Sequence, residues 1–430
     1  ASSLIPSSGP EVSFGCAPLE QSDALSCNIK RTIQIRRGYS RDHRPDLKQF
    51  MMNLISSNDS GIPLFLSMAD GNQVDSEEFG PLMRRFSQQW TFDGIHVADA
   101  ALYTLANLNH MQGMQWVSRV PLTIKAASQV LDEIELASFV PSDREGYSVS
   151  MVGNQYAQVN QHWVVVRSQQ RTQSDLRAIE RKVEKAQCQA QAALKKLQAQ
   201  SFDCPLLAQA AAKQCNQALK YHQLINVSIV DVPHYATKGR PAKGAQPIKI
   251  THQITATLEQ DTAVIERLER RAGLFILATP VYDEQTGERT NLSANEILAY
   301  YKDQSLAEKG FRFLKDPMFF TDSVFLKSPQ RIEALGCVMA LCLLVYSLGE
   351  RFVRTALHVT KQTLPNQLGK PTVQPTLRWL FQCFQAVHLV LIDGGKQVVN
   401  LTDKRKWILR FFPEPCRSYY YPTLKGCHGL

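Results

Sequence analysis

Apolar positions in the first third of the chain come in short runs separated by polar turns. Ile33 and Ile35 alternate with polar residues in RTIQIRR, which predicts a strand. Residues 47–56 read as a helix. The near-continuous apolar run IPLFLSM (62–68) predicts a strand in the middle of a sheet covered on both faces. ADGNQVD after it is turn chemistry, and 75–89 is an amphipathic helix. GIHVAD (94–99) is a short buried strand ending in a carboxylate, and the helix-like ALYTLANLNHM follows it. A further strand, 114–120, stops at Pro121. Residues 1–30, rich in Ser, Pro and Gly, read as loop or a loosely attached segment.

Beyond residue 122 the pattern changes. Strands are expected at 159–168 and 226–232. Between them an Ala/Gln/Lys-rich stretch, about 171–221, reads as a helical hairpin broken near 202–205. It lacks a sustained heptad, which leaves a coiled-coil dimer as the lesser alternative. ATKGRPAKGAQPIK is a basic loop, either a phosphate contact or a solvated hairpin tip. Residues 248–258 alternate like a strand, and GLFILAT (273–279) is a fully buried strand that should rejoin the main sheet. Ser293 and Glu296 form a capping box, so a helix should run from there to 315, before Pro317. After a short extended piece at 324–327, residues 331–357 form a long apolar helix that buttresses it. Its apolar run, 334–348, is short of the roughly twenty residues that span a bilayer, so a buried core helix is expected. A linker at about 360–374 leads to PTLRWLFQCFQAVHLVLIDG and WILRFF, read as core closure, with a partner surface as the lesser alternative. The expected organisation is 1–30 loosely structured, 31–122 first part of an α/β core, 123–272 an insertion domain, 273–358 second part of the core, and 359–430 helical closure.

Composition narrows the class. With 44% hydrophobic and 20% charged residues the chain is a folded globular protein, not a disordered one. A net charge of +9 points to a polyanionic partner, nucleic acid foremost. The ten Cys show no C-x2-C pair and no zinc spacing, which fits reduced thiols in the cytoplasm. No secretory leader pattern is present, and a chain that begins with Ala reads as a fragment.

The helix expected at 293–315 carries the candidate chemistry. Tyr301, Gln304, Glu308 and Lys315 are offset by three, seven and fourteen residues. At roughly 100° per residue they fall in a stripe about 60° wide. Spacing alone also fits an ordinary solvated face. The pattern Tyr-x2-Gln-x3-Glu-x6-Lys resembles the Y-x2-R-x3-E-x6-K signature of DDE-class transposases of bacterial insertion elements. GYSRDHRPDLKQ (38–49) and VADAALY (97–103) resemble landmarks of the same group. The resemblance implies an α/β fold with an RNase H-like core and mixed sheet, interrupted by the helical-hairpin and β insertion. It implies Asp99 and Glu308 as the second and third metal-binding carboxylates, and Tyr301 and Lys315 as DNA-phosphate contacts. Gln304 stands where the group has Arg; it lacks the charge and bidentate donor and receives no role. Two Mg2+ ions are implied as cofactors, with Mn2+ as an alternative. The implied partners are double-stranded DNA, both element ends and target, and a second copy in a synaptic dimer. No membrane is implied, and the setting is the cytoplasm at the nucleoid.

The first carboxylate of the group belongs on the first core strand. Glu11 is best placed for it, and Glu20 and Asp23 lie closer to the GYSRD landmark, but none ends a convincing strand. Two readings stay open: a DDE transposase that cleaves and joins DNA, or a truncated, non-catalytic DNA-binding relic with an incomplete metal site.

Overall fold

The structure, a computed structural model, describes residues 2–6, 33–38, 46–90, 94–235, 246–281, 292–316, 326–392 and 395–421. The first half lays down β1 (Ser2–Pro6), β2 (Met51–Ser57), β3 (Pro63–Ala69), α1 (Asp75–Gln89), β4 (Gly94–Ala98), α2 (Leu105–His110), β5 (Trp116–Arg119) and α3 (Lys125–Glu133). There follow β6 (Val140–Pro141), β7 (Tyr147–Tyr156), β8 (Val159–Ser168), α4 (Gln169–Gln198), α5 (Pro205–Ala218), β9 (His222–His234), β10 (Lys249–Gln260), α6 (Thr262–Arg270) and β11 (Leu274–Pro280). The remainder is largely helical: α7 (Ala294–Asp303), α8 (Ser305–Leu314), α9 (Pro329–Thr360), the pair β12 (Leu364–Pro365) and β13 (Pro371–Thr372), α10 (Leu377–Phe384), the hairpin β14 (His388–Ile392) and β15 (Gly395–Val399), then α11 (Asp403–Leu409) and α12 (Glu414–Ser418).

Among the described residues nine strands form one mixed sheet in the order β3-β2-β1-β4-β5-β11-β8-β7-β6. β4 and β5 run parallel, in the register His96–Trp116 to Ala98–Ser118. β11 enters antiparallel between β5 and β8. The sheet is buried on both sides, as its continuous apolar strands require. One face carries Ala98, Trp116, Trp163, Val165 and Ile276, which pack with Leu82, Met83 and Phe86 of α1 and Leu131 of α3. The other carries Ile95, Val97, Val117, Val164, Phe275 and Leu277 and is covered by Ile297 and Leu298 of α7. The period of two along each strand assigns every residue to one of these faces.

Several expectations change. Most of the segment read as helix, 47–56, lies in β2, Met51–Ser57. Leu54 and Ile55 bury on opposite sides of the strand, one against α8 and α9 and the other in the α1 face, so sheet pairing overrides local propensity. β3, expected in mid-sheet, is an edge strand. Its half-buried residues lie under α9 instead of beneath two helical layers. Among the described residues, the segment at Ile33 and Ile35 forms no strand ladder; it makes the isolated bridge Arg36–Gln49 and accepts the Gly71 N–H at the Gln34 carbonyl, 3.0 Å. Ser2–Pro6, expected as loop, is the strand between β2 and β4; it runs parallel to β2 and antiparallel to β4.

The insertion also divides differently. β6, β7 and β8 extend the main sheet, because HWVVVRS is buried on both faces in the way a mid-sheet strand must be. What projects is the hairpin α4–α5 with the ribbon β9–β10. These share a small core of their own around Leu197, Ala208, Leu224 and Ile254. The basic loop at 236–245 lies outside the described residues, as do residues 324 and 325 of the expected extended piece.

α9 is only half a core helix. Ile332, Met339, Leu343, Val353 and Leu357 are buried, while Val338, Leu341, Val345 and Phe352 on the opposite flank are exposed. It is the one helix among the described residues long and apolar enough to cross a membrane by length and composition. The C-terminal region closes over its second half through Leu377, Leu380, Ile408 and Phe411, with the two short hairpins added to the helices.

One buried titratable group gives the fold a pH dependence. His96, 2% exposed, stands edge-on to Phe86, and burial lowers its pKa to about 4 from the ordinary 6.5. Below about 6.5 the unfolded chain takes up a proton that the folded chain refuses until about 4. Stability contributed by this site is therefore complete above pH 6.5 and declines as pH falls through that window, by up to ~3 kcal/mol. Urea midpoints between pH 7 and 4.5 should fall more steeply for the parent chain than for His96→Gln. Equal slopes would remove His96 from the acid response.

Candidate active site

Asp99 directly follows β4, at the carboxyl end of a strand that runs parallel to β5. Ile95 and Val97 face α7, so by alternation Asp99 does too. Its backbone is fixed by Ser118, whose hydroxyl donates to the Asp99 carbonyl at 2.9 Å. The carboxylate accepts from the Ala101 N–H at 3.0 Å, the local turn expected where a strand hands over to a helix. In the adjoining strand, Arg119 holds the equivalent position and shares the α7 face with Val117.

The capping box forms as the sequence requires. The Ser293 hydroxyl accepts from the Glu296 N–H at 3.3 Å, and the Glu296 carboxylate accepts from the Ser293 N–H at 2.8 Å. The Ser293 hydrogen bonds hold the Glu296 carboxyl below its usual range. The helix does not continue to 315. It breaks at Gln304, which is 7% exposed, through bonds of the tighter three-residue kind: Gln304 N–H to Tyr301 carbonyl at 3.3 Å and Ala307 N–H to Gln304 carbonyl at 3.0 Å. The cause is tertiary. α7 lies across β4, β5, β11, β8 and β7, whereas α8 turns onto β1, β2 and α9. At the corner, Asn58 donates its amide to the Asp303 carboxylate at 3.0 Å.

The single stripe of the sequence reading is therefore split. Tyr301, on α7, is half-buried with its ring 6.1 Å from that of Phe275. Burial raises its hydroxyl pKa, opposed by a hydrogen bond and positive charge from Arg119, with Asp99 near enough to act in the same sense as burial. Tyr301 and Asp99 are thus brought together. Glu308 is exposed in the first turn of α8, and Lys315 is exposed as the residue that caps the end of that helix. Glu11, Glu20 and Asp23 lie outside the described residues.

Asp99 and Glu308 have the oxygen-donor chemistry that divalent ions prefer. Among the described residues, however, no group of three or more His, Cys, Asp or Glu side chains could hold a metal ion. The strand beside β4, Ser2–Pro6, has the sequence SSLIP and carries no carboxylate. The described donor set does not fit a two-ion site.

A family model for the transposase DDE domain matches residues 23–345. The chain belongs to that family. No curated protein and no solved structure matches it. The mixed sheet with its flanking helices is the RNase H-like architecture of such transposases. Family function is transposition, its substrate is DNA, and members generally use divalent metal ions. The sequence reading did not single out Arg119, Arg171 and Lys302, whose charges gather over the ring of Phe275. The signal for Arg119 was present: VAD and VSR end two neighbouring parallel strands, so their last residues stand side by side. Arg171 and Lys302 come from remote segments and carried no such signal.

Proposed function

We propose that this chain binds double-stranded insertion-element DNA along the α7 and α8 side of the sheet, acting in the cytoplasm on nucleoid DNA. Asp99 and Glu308 are its two metal carboxylates for Mg2+ or Mn2+, and cleavage and strand transfer depend on a third. Tyr301 and Lys315 contact backbone phosphate, and two copies would pair in a synaptic dimer. The observation that carries the DNA-binding part is the convergence of Asp99, Tyr301 and Arg119 at the ends of β4 and β5, in a chain of net charge +9.

One observation favours a non-catalytic reading. The strand seated between β2 and β4 is SSLIP, with no acidic side chain to complete a site beside Asp99. DNA binding without strand transfer is the expected behaviour.

Lys315→Ala should weaken binding to duplex DNA and make the slope of log affinity against log salt shallower by about one. Tyr301→Phe should weaken binding while leaving the slope in place, because it removes a neutral donor. Filter binding across a salt series, with melting curves to confirm folding, measures both. An unchanged affinity and slope for both variants would return these residues to an ordinary solvated face.

A further inference from the structure

Phe275 projects from β11 on the α7 face and is 3% exposed. Three cations from three different elements lie over it. The guanidinium carbons of Arg119 and Arg171 are 5.6 Å and 5.8 Å from the ring centroid, and Lys302 Nζ is 5.5 Å from it. Lys302 also stands 4.5 Å over the ring of Tyr147. Its hydrogen bond and charge hold the Tyr147 hydroxyl below the ordinary phenol range. The three basic side chains are half-buried, and the aromatic ring lies beneath them.

Among the described residues, ion pairs do not balance the charge here. Arg171 pairs with Asp175 at 3.4 Å, and the same carboxylate oxygen also accepts the Gly273 N–H at 3.0 Å. Among the described residues Arg119 and Lys302 have no ion pair. Arg119 instead bonds the neutral Tyr301 hydroxyl, with Asp99 in the vicinity. All three cations lie within 6 Å of one point, and half-buried charges held that close are screened less by salt than exposed ones. They repel one another, and the cation–π attraction that opposes this is shared over a single ring. An anion placed among them would offset the repulsion. Two planar guanidinium forks and one ammonium suit the oxygens of a phosphodiester better than a single carboxylate.

We propose that Arg119, Arg171 and Lys302, gathered over Phe275 beside Tyr301, form a second phosphate-binding site for the DNA backbone, additional to Lys315. This rests on the DNA-binding reading above. The site lies on the face that Asp99 shares, next to the end of β4, so a duplex held there would be gripped on both sides of Tyr301. Backbone contacts are independent of sequence, so a fluorescein-labelled random-sequence duplex is a sufficient probe.

The test is fluorescence anisotropy of that duplex against a salt series. Arg119→Gln, Arg171→Gln and Lys302→Gln should each lower affinity about tenfold at 0.1 M salt and make the slope shallower by about one. The charge-retaining Arg119→Lys and Lys302→Arg should keep the parent slope. Thermal melts identify any variant that fails to fold, and the folded ones decide. A parent chain that shows no salt-dependent binding would overturn the DNA-binding reading itself. If the parent binds and Lys315→Ala has its expected effect, but the Gln variants keep the parent slope, only this second site is overturned.

Discussion

Strand transfer of a labelled terminal inverted repeat from the parent element into plasmid DNA is expected to be undetectable with this chain in Mg2+ or Mn2+, although the same DNA is bound. A two-ion site needs each ion anchored and positioned, and three carboxylates do this in the family's signature. In the site proposed above, with Asp99 and Glu308 alone, at least one ion would depend on water and substrate. Losing such an anchor commonly removes several kcal/mol of transition-state stabilisation, or orders of magnitude in rate. SSLIP, beside β4, supplies no replacement. A side chain that does supply one must be held to sub-ångström tolerance, which calls for a fixed strand or helix. Robust product abolished by Glu11→Gln would show that Glu11 completes the triad. Product that survives both Glu11→Gln and Asp23→Asn would show that the carboxylates have been misassigned.

Trp163→Ala should be the most destabilising single truncation in the sheet, at about 3–5 kcal/mol. Trp163 is 0% exposed in β8, and its indole N–H donates to the Tyr103 hydroxyl and the Gln161 side-chain oxygen, each at 3.1 Å. Tyr103 in turn donates to Gln161 and stacks on Tyr156 at 5.2 Å. Truncation opens a cavity and leaves a buried polar pair without its shared donor. Trp163→Phe keeps most of the volume and should cost about 1–3 kcal/mol for the lost donor alone. Urea denaturation separates the two. If β8 belonged to a separable insertion, either variant would produce a split transition. A single transition of lower midpoint is expected, because β8 pairs with β11 in the main sheet.

The parts of this fold legible in the sequence are those that local pattern determines. α1, β8, the α4–α5 hairpin, β11 and the capping box at Ser293 all follow from periodicity, turn residues or caps. What local pattern misses is set by tertiary partners. β2 is a strand because it has β1 and β3 to pair with. β3 is at an edge because nothing described lies beyond it. The 293–315 helix bends at Gln304 because its two halves rest on different parts of the sheet. The site divides the same way. Asp99 was legible as a strand-end acid and Tyr301 as a residue of the capped helix; their proximity was not. The cations over Phe275 were not, since β5, α4 and α7 assemble them across long stretches of chain.

The placement of β11 has a consequence for how the chain is made. β5 pairs with β11, which leaves the ribosome only after β7, β8, the α4–α5 hairpin, the β9–β10 ribbon and α6. At about 5–20 residues per second, synthesis keeps that pairing edge waiting on the order of ten seconds. The hairpin and ribbon in between are built from near-neighbour contacts and close far sooner. A nascent chain therefore passes through a stage in which the arm is finished while one half of the central sheet still presents an open apolar edge. That stage, more than the finished fold, is where aggregation and chaperone capture compete with the arrival of residues 274–280.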